Sequence, residues 1–258
     1  MNIASGLPAV KLKTGTRTYE DSLTALGDWS MLYNGICEDP LLSPCAKLTF
    51  WVLVANSFET TMQYDGSPAF GTFESTSRMA KQTALSPEYL TAGIRELGAL
   101  DLIRRTPQAG MAAHILLPSL KERYPQQLSL VDAPNPTTYA AFVKAGNYSR
   151  LSNAVLHDPE LSWRAKLVFM LVVRRSNSRS RYPNGDPAFG CWPGVQGMAT
   201  DLNTSHDTVS RGLSELAKRG IILRSSRGHR RSCHTIVLPL DAIYNSAPSL
   251  AAANDVSF

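Results

Sequence analysis

Residues 39–50 read DPLLSPCAKLTF, and residues 158–169 read DPELSWRAKLVF. The two stretches lie 158 − 39 = 119 residues apart, and the same offset carries the likeness onward. It maps Gly66 onto Gly185, Pro68-Ala69-Phe70-Gly71 onto Pro187-Ala188-Phe189-Gly190, and Met79-Ala80 onto Met198-Ala199. It also maps Glu96-Leu97 onto Glu215-Leu216 and Ile103 onto Ile222. From Asp39 to Ile103, 22 of 65 ungapped pairs are identical, far more than chance supplies, so the chain duplicates one fold.

The repeat sets the boundaries. Residues 1–27 read as an N-terminal arm, 28–125 as the first copy, 126–143 as a linker, 144–245 as the second copy and 246–258 as a flexible tail. The linker, QQLSLVDAPNPTTYAAFV, has no Lys or Arg and carries Pro134 and Pro136, with a short helical stretch near its end. The tail is rich in Ala and Ser. A length of 258 residues suits two small domains better than one.

Each copy opens with a helix. Ser162 caps it in the second copy, ahead of the apolar run through Ala165, Leu167, Val168, Phe169, Leu171 and Val172. In the first copy Ser43 is the cap and Pro44 takes the first helical position, where its missing N–H is harmless. A polar loop follows, ending in PAFG and an aromatic residue, Phe73 or Trp192, and then a short strand; these two rings read as core residues. Val195 to Leu202 reads as a short helix, Asn203-Thr204 as a tight turn, and Ser205 as the cap of a second helix whose Val209, Leu213 and Leu216 face inward. Gly220 ends that helix; Ile221 to Leu223 and Thr235 to Leu238 read as strands around a basic hairpin. In the first copy the short helix spans Ser75 to Thr83, Ala84-Leu85 turns, and Ser86 caps a helix with Leu90, Ile94 and Leu97 inward. Its strands are Leu102 to Arg104 and Ala113 to Leu117. The predicted class is α+β, mainly α, as two tandem winged-helix domains.

LSWRAKLVFMLVV, followed by CWPGVQGMATDLNTSHDTVSRGLSELAKRGII, resembles the helix-turn-helix modules of plasmid and phage replication initiators and related mobile-element regulators. The first copy fits more loosely, with Glu74 in the place of Pro193 and Asp101 in the place of Gly220. The resemblance implies sequence-specific binding of double-stranded DNA, in replication initiation or its control. A transcriptional regulator on an operator is the alternative, because both use the fold. A protein-interaction adaptor is a third reading.

The second helix of such a pair places its N-terminal residues at base edges in the major groove. In the second copy its candidate contacts are His206, Thr208, Ser210, Arg211 and Ser214, with Arg211 placed to read a guanine; pairing of Arg211 with Glu215 at i+4 is the competing role. Thr204 and Ser205 at the helix N-terminus suit a phosphate. Arg224, Arg227, His229, Arg230 and Arg231 form the basic hairpin, or wing. In the first copy the candidates are Ser86, Tyr89, Thr91 and Arg95.

Charge separates the copies. Asp28 to Arg123 holds 8 basic and 10 acidic residues, a net of −2, whereas Lys144 to Tyr244 holds 15 and 7, a net of +8. The second copy is therefore expected to supply most phosphate affinity, and the first to bind weakly or to serve as a dimer surface. No clustered acidic metal site, phosphate-binding Gly-rich loop or nucleophile beside a base is present in the sequence, so no enzyme activity and no cofactor are expected. Cys37, Cys45, Cys191 and Cys233 form no CxxC pair, and a zinc site drawn from Cys191, Cys233, His229 and His234 matches no zinc spacing. No membrane span and no signal peptide are read, which points to the cytoplasm and the nucleoid. Double-stranded DNA is the expected partner, with a second copy of the chain or host replication proteins as further candidates.

Overall fold

The helix-opening serines of the repeat, Ser43 and Ser162, each accept a hydrogen bond from the N–H three residues on, Ala46 and Ala165, at 3.1 and 3.4 Å. The computed structural model describes residues 18–62, 68–106, 112–125, 139–144, 147–225 and 233–244, as a mixed α/β protein with small antiparallel sheets. In chain order the first half holds α1 (Tyr19–Leu26), β1 (Trp29–Tyr33), α2 (Asn34–Glu38), α3 (Pro44–Ala55), β2 (Phe58–Met62), β3 (Pro68–Thr72), α4 (Thr76–Thr83), α5 (Pro87–Ala99), β4 (Arg104–Thr106) and β5 (His114–Leu116). The second half repeats that order as α6 (Tyr139–Lys144), β6 (Tyr148–Ser152), α7 (Asn153–His157), α8 (Trp163–Arg175), β7 (Asn177–Arg181), β8 (Pro187–Cys191), α9 (Val195–Asp201), α10 (His206–Lys218), β9 (Ile222–Ser225) and β10 (His234–Val237), and adds α11 (Asp241–Tyr244). The helix α1 lies inside the segment read as an arm, and α6 starts inside the segment read as a linker and runs one residue past it.

Each half has a four-stranded antiparallel sheet, ordered β2-β3-β5-β4 and β7-β8-β10-β9. The PAFG motif, read as the end of a loop, is in fact strand β3 or β8. Its glycine marks a close strand approach rather than a turn: a Cβ on Gly71 would lie 2.4 Å from the Ile115 carbonyl oxygen, and one on Gly190 2.7 Å from that of Thr235. Asp101 departs from the glycine at the equivalent position 220 but takes the same left-handed backbone, with φ of 55° against 77°.

Two repeated residues tie α5 and α10 to the opening helices. Glu96 accepts hydrogen bonds from the Ser43 N–H and hydroxyl at 2.7 and 2.5 Å, and Glu215 accepts the same pair from Ser162 at 2.5 and 2.7 Å. Gly93 and Gly212 let the helices cross closely. A Cβ on Gly93 would lie 2.1 Å from Thr49 Oγ1, and one on Gly212 2.7 Å from Val168 Cγ2.

The halves are joined as equivalent partners. Strands β1 and β6 pair antiparallel with Met31 opposite Arg150, which are themselves 119 apart, so the ribbon centres on a local two-fold axis. Ser30 donates to Asn153 Oδ1 at 2.7 Å, and its equivalent Ser149 donates to Asn34 Oδ1 at 2.6 Å. Asn153 Nδ2 reaches Asp28 at 2.8 Å, and Asn34 Nδ2 reaches Asn147 at 3.0 Å. The leading helices are exchanged between the halves. Tyr139 of α6 packs on Phe50 and Phe70 of the first half, with its hydroxyl donating to the Met31 carbonyl at 3.0 Å. Tyr19 of α1 packs on Phe169 and Phe189 of the second half, and donates to the Arg150 carbonyl at 2.9 Å. One continuous apolar core runs through both halves.

Two fully buried lysines complete the joint. Lys47 of α3 donates to the Asp201 carbonyl at the end of α9, and Lys166 of α8 donates to the Thr83 carbonyl at the end of α4. Each ammonium thus meets the negative end of a short helix in the other half. Burial depresses both amines, Lys166 to about 8, against the partial support of Asp158 and Glu215. An amine held below its unfolded value near 10.4 costs stability while the folded site is charged. That cost is complete below about pH 8 and is relieved as pH rises toward the unfolded value. The stability difference between the parent chain and Lys166→Met, from urea melts at pH 7 to 10, should therefore shift toward the parent with rising pH, by at most about 1.4 kcal/mol per unit. A pH-independent difference would remove the lysine charge from the joint.

Candidate nucleic-acid interface

The sequence TDLNTSHDTVSR joins α9 to α10 by local rules. Helix α9 stops where Asn203 takes a left-handed backbone (φ 51°), a conformation asparagine tolerates. The Thr204 N–H returns to the Ala199 carbonyl at 2.9 Å. Ser205 then caps α10, accepting from the Thr208 N–H at 3.1 Å, with its hydroxyl 3.0 Å from that of Thr208. Val209, Gly212, Leu213 and Leu216 are buried, which turns the opposite stripe outward.

That stripe contains His206, Asp207, Arg211 and Ser214, all exposed, with Ser210 at its margin. Ser214 donates to the Ser210 carbonyl at 2.9 Å, and the Ser210 hydroxyl lies 3.4 Å from His206 Nδ1. Thr204 and Thr208 are half-buried at the helix start. Arg211 pairs with Asp207 at 2.9 Å, not with Glu215, because Glu215 is occupied by Ser162. Both members of the Arg211–Asp207 pair are about two-thirds exposed (67% and 66%), so the pair contributes about 0–1 kcal/mol and releases the guanidinium readily.

The first half has the same frame and a different surface. Ala84 takes the left-handed position (φ 52°), and Ser86 caps α5 through the Tyr89 N–H at 3.1 Å. Ser86, Thr91 and Arg95 are exposed, beside Glu88 and Ala92. Tyr89 does not join them. Its ring packs on Trp163 of the other half at 5.9 Å, and its hydroxyl is buried with no hydrogen-bond partner among the described residues. Tyr89 sits on the side of α5 turned toward the joint, so it is removed from the candidate contacts.

Arg224 lies on β9, half-buried, with Nε buried and lacking a hydrogen-bond partner among the described residues. Arg227, His229, Arg230 and Arg231 lie outside the described residues. Sequence reasoning passed over Arg104 and Arg105, both exposed on β4. The repeat offset could have found one of them, since Arg105 is the equivalent of Arg224. The expectation that Phe73 and Trp192 are core residues also fails: they are 45% and 39% exposed. Among the described residues no group of three or more His, Cys, Asp or Glu gathers as a metal site, and no helix is long and apolar enough to cross a membrane.

Comparison with known protein families, with curated proteins and with solved structures gives no match.

Proposed function

We propose that the chain is a sequence-specific double-stranded DNA-binding protein made of two tandem winged-helix modules, acting in replication initiation or its control on a plasmid, phage or other mobile element. The observation that carries the DNA reading is the outer stripe of α10. It is a capped helix, held on α8 by Glu215 and Gly212, that presents His206, Arg211 and Ser214 to solvent, with Ser210 at the margin, in the more basic half. Such a stripe fits the major groove, where an arginine bonds the O6 and N7 of guanine. The replication role rests on the sequence resemblance. The second module supplies most of the affinity, because its net charge is +8 against −2 for the first.

The test is retention of DNA fragments by the purified chain at about 0.1 M salt. Repeated short sites beside a replication origin are expected. A single site beside the gene itself would select the transcriptional regulator, and retention of nothing would overturn the DNA reading. On a retained site Arg211→Ala should cost about 1–3 kcal/mol and relax preference at one base pair. Equal weakening on unrelated duplex would reassign Arg211 to a phosphate.

A further inference from the structure

The bonds at the centre of the joint occur in pairs. The Asn34 N–H donates to the Asn147 carbonyl at 3.0 Å, and its equivalent, the Asn153 N–H, donates to the Asp28 carbonyl at 3.1 Å. The Tyr139 hydroxyl accepts from the Tyr33 N–H at 2.9 Å, and the Tyr19 hydroxyl accepts from the equivalent Ser152 N–H at 3.2 Å. With Met31 opposite Arg150 in the ribbon, a rotation of half a turn carries one half onto the other. A continuous core holds that relation, so the halves do not swivel independently.

The same rotation carries α5 onto α10. Near the start of α5 the Tyr89 carbonyl accepts from the Cys45 thiol at 2.8 Å, Lys47 two residues on donates to the Asp201 carbonyl, and Ser205 caps α10 four residues after that. Those links hold the two helix starts within about 35 Å of each other. Half-sites in neighbouring duplex turns, about 34 Å apart, are within reach, and half-sites two turns apart are not. The net charge of −2 from Asp28 to Arg123 does not bar the first half from the duplex. Its Asp39 and Glu96 are turned inward on Arg123 and Ser43, while Lys81, Arg95, Arg104 and Arg105 are exposed.

A module that followed its twin along the groove would be related to it by a screw translation, and its half-site would run in the same direction. A half-turn reverses the direction, as the two-fold axes of the duplex itself do. The side chains of the two stripes differ. Glu88 and Thr91 keep the character of Asp207 and Ser210, but Ala92 stands in the place of Arg211, and Arg95 in the place of Ser214. The arginine of the first half is thus displaced along its helix by about 4.5 Å, or about one base pair.

We infer that one chain reads one duplex site as two inverted half-sites in neighbouring turns, α10 on one and α5 on the other, opposed in direction and different in sequence. The inference rests on the DNA reading above and adds the arrangement of the site.

The test makes the two stripes alike. Glu88→Asp, Thr91→Ser, Ala92→Arg and Arg95→Ser, all at exposed positions, are combined in the full chain. Parent and variant each select from duplexes carrying about three turns of random sequence. The parent should select a site of about two turns whose halves differ, and the variant a near-palindrome with half-site centres about 10–11 base pairs apart. Half a turn, about five base pairs, added at the centre of that palindrome should weaken variant binding about fivefold or more, the loss of one arginine–guanine pair. Selection of a direct repeat overturns the inverted arrangement, and so does selection of a single half-site; both leave the DNA reading standing. Should the variant melt below the parent or select nothing, DNA-cleaving groups on Glu88→Cys and Asp207→Cys of the parent take its place. Above the cleavage given by the native cysteines, they should cut opposite strands at positions mirrored about the site centre. Cuts on one strand a turn apart, or from one of the two positions alone, overturn the inference. A parent that selects nothing removes it together with the DNA reading.

Discussion

Residues 144–258 expressed alone are expected not to form a stable folded monomer, although they contain β6 to β10 and α7 to α11. Cutting there removes Tyr19, whose ring covers Phe169 and Phe189. It removes β1, the partner of β6 along its whole length. It also uncovers α8, which packs on α3 with the Trp51 and Phe169 rings stacked at 6.2 Å, and leaves the Lys166 ammonium without the Thr83 carbonyl. An unpartnered buried charge and a newly wetted apolar face each cost several kcal/mol, comparable to the whole stability of a small domain. The fragment should self-associate through the vacated joint or lose its cooperative melt, and adding residues 1–143 should restore it. Sedimentation with thermal melting decides the matter. A monomeric fragment melting as sharply and as high as the full chain would show that the halves are independent.

Gly212→Ala and Gly93→Ala are each expected to destabilise by about 1–3 kcal/mol, against the roughly 1 kcal/mol that alanine gains over glycine within a helix. Packing wins because the new methyl has nowhere to go. At Gly212 it would meet Val168 Cγ2 at 2.7 Å and the backbone oxygen of Arg164 at 2.9 Å, and a backbone oxygen cannot rotate away. At Gly93 it would meet Thr49 Oγ1 at 2.1 Å, Thr49 Cβ at 2.6 Å and the Cys45 carbonyl oxygen at 3.0 Å. Relief requires α5 or α10 to move off its partner helix, which also stretches the hydrogen bonds of Glu96 or Glu215. Urea denaturation measures the loss, and Gly98→Ala is the control, because a Cβ there meets nothing within 4 Å. Equal stability of Gly212→Ala and the parent would mean that the crossing has slack.

The parts of this fold that were legible from the sequence are those governed by neighbours along the chain. Ser86 and Ser205 as caps, the inward spacing of Leu90, Ile94 and Leu97, and three of the four closing strands followed from local patterns, whereas the strand read at Leu102 to Arg104 lies at Arg104–Thr106. The joint between the halves did not, since residue type does not reveal which half a side chain belongs against. Nothing along the chain marks Lys47 and Lys166 as buried; only the opposing helix ends placed over them do. The ribbon left a trace that the repeat carries: Ser30, Leu32 and Asn34 recur at Ser149, Leu151 and Asn153 with the same offset. The exchanged helices hid behind a one-residue change of spacing, as Thr18-Tyr19 recurs at Thr138-Tyr139, 120 residues on. In the candidate site, helical period placed the outer stripe of α10, while the choice of Asp207 over Glu215 for Arg211 depended on a serine 53 residues away from Glu215. Trp192 misled because a tryptophan is usually read as interior.

The exchange of leading helices also orders events during synthesis. Strand β1 ends at residue 33, but its partner β6 begins at 148, so at about 5–20 residues per second it waits roughly ten seconds for a pairing edge. The pocket over Phe50 and Phe70 stays open until Tyr139 has left the ribosome. The nascent first half therefore presents an unpaired strand and an apolar cleft to its surroundings. Its best match in the cell, besides its own second half, is the second half of a neighbouring chain on the same messenger.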